Sequence, residues 1–246
     1  MKKKEMAISV KNLDIYYKDI KRFSIAKSGL NNLLTASTFH AVKNVSFEIP
    51  KGQIVGICGK NGSGKSTLLR AIAGIFSADK GTIDLHGNSI SLLSIGVGFQ
   101  RKLSGYENIF LSGLLLGYTE AQIKERIDEI IEFSELGDFI YKPVSSYSSG
   151  MYSKLAFSIT AILETDIMLI DEVLSVGDIH FKQKSYNKMK ELISDENRTV
   201  LIVSHSSNTL KSLCDRVIWL NEGVLKGDGP ANEIVAEYEE YMRNLD

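Results

Sequence analysis

The sequence predicts an α/β fold with a mainly parallel sheet and additional β structure at its amino end. Two observations carry that expectation. Ile54–Cys58, 167–170 and Thr199–Val203 are short, continuous apolar runs, the pattern of strands buried on both faces. Helical patterns alternate with these runs, as in chains that lay helices over a parallel sheet.

Taken in order, Ile8, Val10 and residues 13–15 predict a first strand. Residues 42–48 predict a second, because Val45 and Phe47 alternate with Ser46 and Glu48. Between them, residues 18–40 are basic and rich in Ser and Asn without a steady period, and predict an inserted loop or short helix. The run 54–58 leads into a glycine-rich loop and a helix over 66–74. Residues 119–136 carry the clearest helical pattern. Thr119 and Gln122 can close a capping box, and Ile123, Ile127, Ile130 and Ile131 recur at helical spacing. Lys124, Glu125, Arg126, Asp128 and Glu129 then form a solvated face. Residues 216–220 and 224–225 flank Asn221-Glu222-Gly223 as a hairpin, and 232–242 closes with a helix. Trp219 and the Tyr238/Tyr241 pair at i, i+3 on the last helix are expected to be packing residues, and Cys58 and Cys214 to be small buried hydrophobes.

Composition narrows the class. The chain has 246 residues, roughly 1.6 domains at about 150 residues each. Charged residues are 24% and hydrophobic ones 43%, which excludes a wholly disordered chain. Lys plus Arg (29) nearly cancels Asp plus Glu (30), so the chain lacks the basic footprint of a nucleic-acid binder. The greasiest stretch, 155–170, is broken by Glu164 and Asp166 and does not span a bilayer, and 6–10 is too short for a signal-peptide core. A soluble globular chain of a reducing compartment is expected.

The chemistry is concentrated at three strand ends. Gly59-Lys60-Asn61-Gly62-Ser63-Gly64-Lys65-Ser66 fits the phosphate-loop pattern, directly after a buried strand and before a helix. Glycines let successive N–H groups turn toward phosphate oxygens, and the helix amino end adds partial positive charge. Lys65 would supply a full charge to the β- and γ-phosphates, and the Ser66 hydroxyl a ligand to Mg²⁺. The run 167–170 ends in Asp171-Glu172. Asp171 would hold Mg²⁺, and Glu172 would orient or deprotonate the attacking water. His205 ends the run that starts at Thr199, and could hydrogen-bond the γ-phosphate.

At this point the sequence resembles an ATP-binding cassette (ABC) ATPase. It adds a glutamine loop at Phe99-Gln100, a signature segment at Tyr147-Ser148-Ser149-Gly150-Met151, and a loop over 174–178 ending in Asp178. The resemblance implies a P-loop NTPase fold of the RecA-like kind, with an antiparallel β subdomain and an α-helical subdomain near 103–163. It implies one such domain over 1–246, ending in a helix near 230–244. It also implies a site made by two copies. ATP would lie between the loop Gly59 to Ser66, with Thr67, of one copy and Ser148, Ser149 and Gly150 of the other. Gln100 would touch Mg²⁺ and water, and Asp178 would sit at the dimer interface. Tyr17 is the expected adenine stack, with Tyr16 or Phe39 as alternatives.

Ser149, in place of the first glycine, and Met151, in place of the glutamine, depart from the common Leu-Ser-Gly-Gly-Gln signature. A Cβ at 149 is expected to restrict the backbone there. The version Tyr-Ser-Ser-Gly-Met is similar to that of exporters of lipid-linked polysaccharides, namely O-antigen, capsule and wall teichoic acid. The stretch 96–109 around Gln100, the tail 223–238 and the insertion before Ala41 are similar to the same subfamily. That resemblance implies a homodimer on the cytoplasmic face of the cytoplasmic membrane. It would dock beneath two copies of an integral-membrane permease, with a lipid-linked polysaccharide as cargo and no nucleic acid. It also implies no appended glycan-binding domain, since the cassette pattern leaves room for one terminal helix. The alternatives are an exporter ATPase for a lipid or drug, and a soluble cassette ATPase acting on ribosomes or DNA. The second cassette or long coiled coils expected of the latter are not in the sequence.

Overall fold

The protein is seen in a computed structural model that describes residues 5–19, 37–93, 98–171 and 178–244. At the amino end, β1 (Met6–Asp19) pairs antiparallel with β2 (Ser37–Pro50). Both strands are longer than their apolar alternation suggests. Lys18 pairs with Thr38 and Asp19 with Ser37, so the edges of the expected insertion are strand, and residues 20–36 lie outside the described residues. The ladder holds there through polar and ring contacts: Tyr16 stacks on His40 at 4.0 Å, and His40 Nε2 meets Asp14 Oδ1 at 2.7 Å.

The main elements follow in order: β3 (Ile54–Cys58), α1 (Lys65–Ile72), β4 (Lys80–Asp84) and β5 (Ile90–Leu92). A helical lobe comes next, made of α2 (Gly105–Leu115), α3 (Glu120–Ser134) and α4 (Ser149–Ile162). The chain then returns through β6 (Ile167–Asp171), α5 (Ile179–Ile193), β7 (Thr199–Val203), α6 (Ser207–Leu213), β8 (Arg216–Asn221), β9 (Val224–Pro230) and α7 (Ala231–Arg243). The six-stranded sheet runs β5-β6-β7-β3-β8-β9, parallel except for the last pair, and β4 joins β1 and β2 in a separate antiparallel sheet.

This order explains the apolar runs. β3 and β7 lie inside the sheet and are covered on both faces, so neither can alternate. One face packs against α1 and the antiparallel sheet, through Ile8, Leu13, Ile57, Leu68 and Leu201. The other packs against α5, α6 and α7, through Val200, Phe181, Leu192, Val217 and Trp219. A third core closes the helical lobe, where Ile123, Ile127 and Ile130 of α3 meet Leu155, Ile159 and Ile162 of α4. The capping box at the start of α3 is complete: the Thr119 hydroxyl accepts from Gln122 N–H, and the Gln122 side chain accepts from Thr119 N–H. The hairpin between β8 and β9 turns on Glu222 (φ 50°) and Gly223 (φ 83°), the left-handed pair of a tight two-residue turn. Trp219 lies 5.7 Å from the Tyr238 ring and 5.1 Å from Tyr241, so the three expected packing residues meet one another and hold α7. Among the described residues, no helix is long and apolar enough to cross a membrane.

Candidate functional site

The loop after β3 is shaped by its own chain. A Cβ on Gly59 would lie 2.1 Å from the Leu220 carbonyl oxygen, and one on Gly64 2.4 Å from that of Ala41. Gly64 is also left-handed (φ 98°) and precedes α1 without a side-chain cap, so the first N–H groups of that helix keep their donors for a ligand. Ser63 N–H donates to Lys60 C=O at 3.1 Å, and Gly223 N–H to Ser63 C=O at 3.1 Å, which ties the loop to the β8–β9 turn. Lys65 is buried. Its ammonium donates to the carbonyls of Gly59 (2.8 Å) and Lys60 (2.9 Å), so the charge is folded back into the loop.

Two further parallel strands bring the other groups to the same edge. Asp171 ends β6, and its Oδ1 accepts from the Ser66 hydroxyl at 3.4 Å. His205 follows β7, is exposed, and lines one cleft with Phe39, Asn61, Lys65, Ser66 and Thr67. Glu172 and residues 174–177 lie outside the described residues. Cys58, under the loop, is a buried thiol pushed up to about 12 by desolvation despite nearby Lys65, and Cys214 is likewise pushed up to about 12 by burial. Both are packing groups, not nucleophiles.

The three aromatic candidates separate clearly. Tyr16 has a ring face covered by His40. Tyr17 is 45% exposed, lies edge-on to Phe76, and its hydroxyl is 3.2 Å from that of Thr67. Phe39 pairs with Tyr17 across the ladder, is 59% exposed and lines the cleft itself. Periodicity could not rank Phe39, because its strand edge carries no apolar alternation.

The helical lobe presents a second helix amino end. Ser148 caps α4, its hydroxyl accepting from Met151 N–H at 3.2 Å. Ser149 is the first residue of α4 and is not left-handed, so the restriction expected from its Cβ does not arise. Gly150 is different from Gly59 and Gly64: an added Cβ would meet only the Ser148 hydroxyl, at 3.8 Å. Among the described residues, nothing requires glycine there. Gln100 is exposed, and its loop is held to the segment entering α4, since Ser145 N–H donates to Arg101 C=O (2.8 Å) and Val144 N–H to Leu103 C=O (2.9 Å).

Asp178 caps α5 by accepting from Phe181 N–H at 3.0 Å and pairs with Lys154 Nζ of α4 at 2.8 Å. These two contacts, the lysine first, bring its carboxyl down to about 2. Burial works against the Lys154 ammonium, but its bonds to Asp178 and Glu135 outweigh that and raise it. Glu135 is lowered in turn, chiefly by Lys184, whose Nζ is 2.9 Å away. Sequence reasoning missed Lys154 as the link between α4 and α5, because its partners are 19 and 24 residues away in the chain.

Known proteins resemble this chain over most of its length. The family description "ABC transporter" matches residues 42–175. An O-antigen export system ATP-binding protein of Klebsiella pneumoniae is 42% identical over 210 residues, 85% of each chain. A similar protein of Myxococcus xanthus is 45% identical over 83% of this chain and 47% of its own length. A teichoic acids export ATP-binding protein of Lactococcus lactis is 48% identical over 87% of this chain and 45% of its own. The chain thus spans about half the length of the latter two. Among solved structures, a dimeric ATP-binding cassette bound to ADP and Pi superposes with a TM-score of 0.69 at 21% identity, over 91% of this chain and 98% of that one. That likeness carries the fold: a P-loop NTPase core with an antiparallel β subdomain and a helical lobe.

Proposed function

Because the chain belongs to the ABC transporter family, we propose that it is the ATP-hydrolysing subunit of an exporter of a lipid-linked polysaccharide. Two copies work together beneath a permease of the membrane, on its cytoplasmic face, and residues 1–246 act as one cassette. The observation that carries the ATPase reading is convergence. Lys65 and Ser66, at the uncapped amino end of α1, line one cleft with His205, which follows β7, and Asp171 at the end of β6 bonds to Ser66.

The roles follow from chemistry. The N–H groups of 62–67 and the Lys65 charge bind the β- and γ-phosphates; the ammonium, now on two carbonyls, exchanges them for stronger charge-assisted bonds. Ser66 and Asp171 form an oxygen pair suited to Mg²⁺, and Gln100 adds a third oxygen when ATP is in place. No group of three or more His, Cys, Asp or Glu gathers among the described residues. The fit is therefore to a cation that takes its other ligands from phosphate and water. Bound Mg²⁺ would neutralise charge on the phosphates. Glu172 takes the proton of the attacking water, and His205 steadies the γ-phosphate. Adenine stacks on the exposed Tyr17–Phe39 pair, with Tyr17 the first choice.

Gly150 supports the two-copy reading. Among the described residues its missing side chain serves no contact, which leaves room for a partner's phosphate to approach. Ser148, Ser149 and Gly150 of one copy would then close over the ATP of the other, with Asp178 at the seam. The cargo assignment is supported by the names of the export proteins that match most of this chain. The second reading, an exporter ATPase for a lipid or drug, keeps the same site with a different permease. Deleting the chain in its host and measuring surface polysaccharide separates them. Loss of the polysaccharide is expected, and intact polysaccharide with an active ATPase would remove the cargo assignment.

A further inference from the structure

Asn108 sits in the first turns of α2 and is fully buried. A buried amide is costly unless its donors and acceptor are satisfied, and the side-chain bonds of Asn108 go to residues 100–104, which lead into α2. Its Oδ1 accepts from Gln100 N–H at 2.7 Å. Its Nδ2 donates to the carbonyls of Gln100 (3.1 Å), Ser104 (2.8 Å) and Leu103 (3.3 Å). Both backbone polar groups of Gln100 are therefore bonded by one side chain eight residues away, the carbonyl accepting from Leu103 N–H as well at 3.1 Å.

We propose that Asn108 is a positioning residue for Gln100, locking its backbone to α2 so that the exposed glutamine side chain moves with the helix rather than with a free loop. The loop's other ties run the same way. Phe99 packs against Tyr152 of α4 with ring centroids 4.9 Å apart, and Arg101 and Leu103 are bonded to 144–145. With the loop stapled on both sides, the distance from Gln100 to the cleft is set by the placement of the helical lobe. The proposal rests on the reading of Gln100 as a group that meets Mg²⁺ and water.

Asn108→Ser tests it. A serine hydroxyl can still donate to Ser104 C=O, four residues back in the helix, but is too short to reach Gln100. The variant is expected to lose about tenfold or more in kcat, with KM for ATP changed less than about twofold. In a Gln100→Ala background the same substitution is expected to cost nothing further, because its effect passes through the glutamine. If Gln100→Ala lowers kcat and Asn108→Ser lowers it again by its full factor, the positioning role is overturned while the reading of Gln100 stands. If Gln100→Ala leaves kcat intact, the reading of Gln100 falls, and the proposal with it. Hydrogen exchange on the unaltered protein gives a second measurement. The Gln100 amide should be protected, and exchange at the rate of an open loop in the folded chain would contradict the clamp.

Discussion

The amino ends of α1 and α4, the two proposed to meet phosphate, are built differently. At α1, Gly64 provides no cap, Gly59 and Gly64 are kept free of a side chain by the carbonyls of Leu220 and Ala41, and Lys65 is bonded to the carbonyls of its own loop. At α4 the seat is half used. Ser148 caps its own helix, and no cation is bonded to it among the described contacts. The difference teaches where each end is meant to act. On the proposed reading the α1 end binds ATP, and the α4 end, whose Gly150 has room around it among the described residues, closes over that ATP from a second copy.

Substitutions should separate the two ends. Glu172→Gln removes the base and leaves the phosphate contacts, so turnover is expected to fall by about 10²–10⁴-fold while ATP still binds and holds dimers closed. Steady-state hydrolysis beside a binding titration reads both, and ordinary turnover would defeat the assignment. Lys65→Ala is expected to weaken ATP binding to the single chain by about 1.5–3 kcal/mol, the range for a charge-assisted bond. Calorimetry with a non-hydrolysable ATP analogue measures it. Ser148→Arg, at the other end, is expected to leave that affinity unchanged and to abolish ATP-driven dimers in light scattering.

Smaller effects concern the framework. Asp178 has its carboxyl lowered from 3.8 to about 2, so its contribution is full above the ordinary value and is lost as pH falls from 3.8 through about 2. Asp178→Asn removes that dependence. Across the same window, wild-type thermal stability should fall more steeply than that of the variant, and parallel curves would show that the Lys154 pair contributes little. Thr119→Ala opens the capping box of α3 and should cost about 1 kcal/mol in urea unfolding, without changing ATP affinity.

The two ends also differ in how far the sequence revealed them. The phosphate loop, the strand before it and the acidic strand end were legible because each depends on local chemistry: glycines where φ is positive, apolar residues where both faces are covered. The capping box at Thr119 and the turn at Glu222-Gly223 were legible for the same reason. Residues 18–19 and 37–40 were not, since strand pairing there is carried by cross-strand partners such as Tyr16 and His40. Asn108 and Lys154 were equally hidden. An asparagine in a helix and a lysine beside a serine look like surface residues until the loop and the acids they hold are folded around them.

The central claim is that the α4 end of one copy completes the α1 end of another, and mixing two inactive variants tests it most directly. Chains carrying Lys65→Ala and chains carrying Ser148→Arg should each fail to hydrolyse ATP. In a mixed dimer, the intact loop of the second faces the intact signature of the first, so an equimolar mixture should regain hydrolysis from that one site. If the mixture stays as inactive as either variant alone, the two ends do not meet across copies and the account is wrong.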